Sequence, residues 1–163
     1  MADSVQEATS VQVSTTVAAT PEQLYAMVAD LTRMSDWSPE NSGNEWVGGA
    51  TGANPGARFK GKNANGSRRW QTMCTIVVAE PGRELSWEVR AFGRPVAVWR
   101  YQFAPDDAGG TVVTESMDDR RGMFLRLMGN AGTGVSDRPR HNTETMRVTL
   151  ERLKAAAEAG ATG

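Results

Sequence analysis

The chain has 163 residues, with 18 lysines and arginines against 19 acidic residues and a formal charge of −1; its basic residues are dispersed, which excludes a phosphate track and nucleic acid as the main partner. One cysteine, Cys74, and one histidine, His141, exclude an intrachain disulfide and leave too few ligands for a zinc or iron centre, so neither metal nor cofactor is expected. Met1-Ala2-Asp3-Ser4 lacks a basic n-region and no run reaches bilayer length, so the sequence reads as cytoplasmic without an integral membrane segment: one domain over 10–159 between flexible segments at 1–9 and 160–163.

Val11, Val13, Thr15 and Val17 alternate with polar residues and predict a first strand. A helix follows, because Thr20 suits an N-cap, Pro21 suits the first helical position and Gln23 completes a capping box ahead of Leu24, Met27, Val28 and Leu31. The helix should end near Asp30 or Leu31, with one more short helical turn over 32–37 closed by Ser38-Pro39. Glu45-Trp46-Val47 reads as a short strand, and the glycine-rich stretch 48–56 connects it to a strand over 57–63 in which Phe59, Gly61 and Asn63 share a face.

Asn65-Gly66 turns the chain into the next strand, where Trp70, Thr72, Cys74 and Ile76 share one parity. After Glu80-Pro81-Gly82 the same rule puts Leu85, Trp87 and Val89 on one face, then Ala97, Trp99, Tyr101 and Phe103, and finally a strand over 111–118. The seven strands read as an antiparallel meander with one apolar face. Residues 120–138 carry four glycines around Met123-Phe124-Leu125-Arg126-Leu127-Met128 and fit either a short helix or a loop. From Pro139 to about Ala159 a helix presents Met146, Leu150, Leu153 and Ala157 as one stripe, the natural cover for the sheet.

This order of elements, together with Thr20-Pro21-Glu22-Gln23-Leu24-Tyr25, Val28-Ala29-Asp30-Leu31, Trp37-Ser38-Pro39-Glu40, Phe59-Lys60-Gly61-Lys62-Asn63, Arg69-Trp70, Glu80-Pro81-Gly82-Arg83 and Thr149-Leu150-Glu151-Arg152-Leu153-Lys154, resembles the START/polyketide cyclase-dehydrase-like (SRPBCC) superfamily, in particular its small bacterial members. The similarity spans about residues 10–157. It implies an α+β helix-grip fold: a curved seven-stranded antiparallel sheet wrapped around a long C-terminal helix, with two short helices after the first strand. It also implies an apolar cavity between sheet and helix that takes a hydrophobic small-molecule ligand. Phe59, Asn63, Thr72, Cys74, Trp87, Trp99, Tyr101, Met117, Phe124, Met128, Met146 and Leu150 are then the expected ligand-binding residues.

Chemistry in such a cavity would need inward polar groups. Glu115 shares the parity of Val113 and Met117 in one register, which would desolvate it and suit a general acid or base; in the other register Val112, Thr114 and Ser116 face inward and Glu115 meets solvent. Tyr101 could supply a phenol, and His141, at the start of the last helix, could supply an imidazole. Three readings stay open: a monomeric or homodimeric binder of a lipid, polyketide or aromatic metabolite; a polyketide aromatase/cyclase or dehydratase using Glu115, Tyr101 or His141; and an interaction protein that uses the Met123–Met128 patch.

Overall fold

In the computed structural model, which describes residues 10–160, the apolar faces of the strands and of the last helix converge on one inner surface. The chain runs β1 (Ser10–Val17), α1 (Pro21–Ala29), a 3-10 turn (Leu31–Asp36), β2 (Asn41–Val47), β3 (Arg58–Asn65), β4 (Arg68–Glu80), β5 (Glu84–Ala91), β6 (Arg94–Pro105), β7 (Thr111–Asp119), α2 (Met123–Thr133) and α3 (Arg138–Gly160). The flexible segments expected at 1–9 and 160–163 lie outside the described residues, except Gly160, which closes α3. The reciprocal cap of α1 is present: the Thr20 hydroxyl accepts the Gln23 N–H at 3.2 Å, and the Gln23 side chain accepts the Thr20 N–H at 3.0 Å.

All neighbours in the sheet are antiparallel, in the order β1-β7-β6-β5-β4-β3-β2. The meander therefore holds from β2 to β7 only. β1 is carried away from β2 by α1 and the 3-10 turn and pairs instead with β7, Val17 opposite Thr111 and Ser10 opposite Asp118. This is the helix-grip arrangement, with α3 packed along β1 and touching β7.

Register sorts the inner face into rows. Thr15, Val113 and Phe103 lie side by side; the next row is Val13, Glu115, Tyr101 and Leu85; then come Val11, Met117, Trp99, Trp87 and Ile76; the fourth row is Asp119, Ala97, Val89, Cys74, Phe59 and Trp46. The first row and its surroundings are dry and closed, with Val17, Leu24, Leu85, Val113 and Leu153 fully buried. On α3, Met146, Leu150, Leu153 and Ala157 are buried in this core.

Three register slips adjust the sheet, the first between Asn41 and Gly43 on β2. A second lies between Ile76 and Val78, so that Ala79 faces Leu85 after Val77 has been turned out to solvent, and a third lets Val96 intervene between Ala97 and Pro95 on β6. Such bulges bend a sheet, and the last two lie toward opposite ends of β5.

Candidate ligand cavity

Beyond the dry core the sheet and α3 separate around a cavity of about 670 Å³. Its wall on the sheet is aromatic. Trp46, Phe59 and Trp87 meet edge to face at centroid distances of 5.8 and 6.0 Å, and Trp87 stacks on Tyr101 at 5.8 Å. Gly61, between Phe59 and Asn63, leaves room: a Cβ there would stand 3.0 Å from the Thr72 hydroxyl, so any side chain would both fill the cavity and crowd Thr72. The first half of α3 contributes Asn142, Thr145 and Thr149, and α2 contributes Leu125, Met128, Gly129 and Gly132.

The inner end carries one acid. β7 takes the inward register for Glu115, which is 4% exposed beside Val113 and Met117. The Tyr101 hydroxyl donates to its Oε1 at 2.7 Å, while Oε2 has no hydrogen-bond partner. Burial raises the Glu115 carboxyl to about 8, against the lowering effect of the Tyr101 hydrogen bond. Burial and the neighbouring carboxyl likewise hold the Tyr101 phenol well above its ordinary range. At neutral pH the pair is therefore a carboxylic acid beside a phenol, both uncharged.

The open end is ringed by compensated charges. Glu40 accepts from Arg138 Nη1 at 2.9 Å and lies 2.6 Å from His141 Nε2, while Arg138 also sits 5.9 Å over the Trp70 ring. Burial pushes the Asp119 carboxyl up, but the Arg121 side-chain and backbone donors at 2.8–3.0 Å outweigh it, and its net shift is down. Arg138 and Arg121 are thus spoken for by acids of the wall. Cys74 is buried with its thiol pushed up to about 12 by desolvation, which keeps it unreactive.

Of the residues expected to bind ligand, Phe59, Asn63, Thr72, Cys74, Trp87, Trp99, Tyr101, Met117 and Met128 line the cavity, as does Glu115. Three expectations are corrected. Phe124 is 62% exposed and does not line the cavity, although Leu125 beside it and Met128 one turn further on do; Met146 and Leu150 are 1% exposed within the closed core. His141 does not line the cavity either and instead supports Glu40, which does. Glu40, Asn41, Asn44, Asn142, Thr145 and Thr149 were missed. Asn63 and Thr72 were reachable because they share a parity with apolar neighbours on their strands, whereas the missed polar residues belong to no apolar alternation; only the proline-stopped turn at Ser38-Pro39 marked the place of Glu40.

A curved antiparallel sheet closed by a long helix over an apolar, aromatic-walled cavity defines a hydrophobic-ligand-binding fold. A family described as polyketide cyclase/dehydrase and lipid transport matches residues 8–158, and the chain belongs to that family. Among solved structures it is similar to a polyketide-cyclase-like protein of Corynebacterium glutamicum, at 28% identity over 96% of each chain with a TM-score of 0.57. It is also similar to a protein of Deinococcus radiodurans, at 19% identity over 93% of this chain and 99% of that one, TM-score 0.68. The di-domain ARO/CYC StfQ of the steffimycin biosynthetic pathway shares the fold at 15% identity, over 94% of this chain and 52% of StfQ, TM-score 0.70. A comparison with curated proteins finds no match.

Proposed function

We propose that this protein binds an uncharged hydrophobic small molecule, a lipid, polyketide or aromatic metabolite, between the sheet and α3. The observation that carries this reading is the cavity itself: about 670 Å³ of space against Phe59, Trp87, Trp99 and Met117, within the range of ~300–1,000 Å³ common for small-molecule sites. Apolar wall that the fold leaves uncovered is stabilised by a ligand that covers it. The acid at the inner end is neutral at pH 7, so a neutral ligand meets no charge there.

Native mass spectrometry of the gently purified protein tests this directly, because a retained apolar molecule appears as added mass that denaturation releases. Tryptophan fluorescence titrated with polycyclic and long-chain compounds gives the affinity, and Trp99→Ala should lower it at least about fivefold by removing wall area. No retained mass together with no saturable fluorescence change would refute the reading.

One observation favours a second reading, catalysis. Glu115 with Oε2 unpartnered, bonded to Tyr101 at the cavity wall, is a buried acid able to protonate a leaving hydroxyl, as a polyketide cyclase or dehydratase would require. Turnover of a poly-β-ketone by the native protein, lost in Glu115→Gln with ligand binding intact, would support it; unchanged turnover in that variant would remove Glu115 from the chemistry.

A further inference from the structure

Phe92 is the least explained side chain in the molecule. It forms the tip of the β5–β6 hairpin with Gly93, between the paired residues Ala91 and Arg94, and both tip residues have positive φ, 52° and 72°. Such a two-residue turn ordinarily takes Asn-Gly. A phenylalanine accepts the left-handed conformation poorly, and this one gains no packing in return, since it is 94% exposed. It nevertheless lines the cavity, which places it at the opening.

The same opening carries more exposed apolar surface. On α2, Leu125 and Met128 line the cavity, and Met123, Phe124, Leu127 and Met128 are 85%, 62%, 73% and 54% exposed. The charge beside this patch leans positive: residues 118–140 contain five arginines against Asp118, Asp119 and Asp137, a balance of +2 within a chain of −1. Arg121 and Arg138 are tied to Asp119 and Glu40. Arg120 and Arg126 are only loosely paired, at 3.8 and 3.9 Å, and Arg94 and Arg140 make no ion pair among the described residues.

We infer that the α2 face and the Phe92 tip dock on an anionic phospholipid bilayer, bringing the opening of the cavity to the membrane surface. An amphipathic helix with Phe, Leu and Met on one side and arginines beside them is the chemistry that enters a headgroup layer, apolar side chains below and cations among the phosphates. A second copy of the chain fits worse, because a two-fold interface on this face would bring the same arginines against each other. The docking stands on the surface alone and does not depend on which molecule the cavity holds.

Vesicle co-sedimentation tests it, using an equal mixture of phosphatidylglycerol and phosphatidylcholine against phosphatidylcholine alone. Binding to the mixed vesicles is expected. It should weaken roughly fivefold for each arginine that no longer meets an anionic headgroup when phosphatidylglycerol is omitted, and fall with added salt. Phe124→Asp with Leu127→Asp should cost at least about tenfold. Phe92→Asn should weaken binding several-fold while raising the melting temperature, a combination that damage to the fold cannot produce. No sedimentation with mixed vesicles overturns the inference, and so does binding that is indifferent to both sets of substitutions. A concentration-dependent dimer that these substitutions abolish, with no vesicle binding, would assign the face to a second copy instead.

Discussion

Replacing Glu115 with glutamine should change how stability depends on pH, and the size of the change follows from burial. The carboxyl rises from an ordinary 4.5 to about 8 in the folded protein, whereas in the unfolded chain it titrates normally. Between those values the folded state holds a proton that the unfolded state has lost, so stability falls as pH rises, by about 1.4 kcal/mol per unit at most. Below the unfolded value the contribution is fully present, and above about 8 it is gone. From about pH 5 to about pH 8 the native protein should lose roughly 3–4 kcal/mol through this one group. Glutamine keeps an oxygen for the Tyr101 hydroxyl at 2.7 Å but cannot ionise. Urea unfolding of both proteins across this range should therefore give a stability difference that moves by that amount in favour of Glu115→Gln. A difference that stays constant with pH would mean that Glu115 ionises normally when folded, and the account of a neutral inner end would fail.

Three further outcomes are expected. Met146→Ala should lower stability by about 2–5 kcal/mol, since Met146 is 1% exposed, while the folded fraction keeps its ligand affinity; Trp99→Ala should do the reverse, and denaturant midpoints beside fluorescence titrations separate the two. Glu40→Gln should cost about 1–2 kcal/mol by weakening the bonds to Arg138 and His141, with faster hydrogen exchange at the start of α3 as the local signature. Phe92→Asn should stabilise the protein by about 1 kcal/mol in thermal unfolding, because asparagine tolerates φ of 52° better than phenylalanine does.

The sheet was legible wherever one parity stayed apolar. Leu85, Trp87 and Val89 and then Ala97, Trp99, Tyr101 and Phe103 face inward as their alternation requires. Reading stopped where alternation stopped. β4 continues past Ile76 to Glu80 because a bulge at Val77 reverses the parity, and β2 begins at Asn41 through Asn-Ser-Gly-Asn, residues with little strand preference that are held by Lys62 and Gly61 of β3.

The segment 120–138, open between helix and loop, contains an eleven-residue helix that ends on Gly134 in the left-handed conformation. For the site, the aromatic wall was visible, while of the polar lining only Asn63, Thr72 and, in one register, Glu115 were. The stripe Met146, Leu150, Leu153 and Ala157 identified the buried side of α3, yet its apolarity marks the closed core, while the turns that meet the cavity present Asn142, Thr145 and Thr149. Whether Glu115 faced in or out could not be decided from Thr111–Met117, where both parities carry valines and a hydroxyl; pairing with Tyr101 decides it.

The partnership of β1 with β7 also has a consequence in time. Every other pairing in the sheet joins consecutive strands, but Val17 must wait for Thr111 and Ser10 for Asp118, about a hundred residues apart and so a costly loop to close. At a synthesis rate of ~5–20 residues per second, the first strand exists for roughly 5–20 s before its partner has been made. The hairpins from β2 to β6 can assemble during that interval. β7, the first strand and α3, which packs on it, can then join them and enclose the cavity.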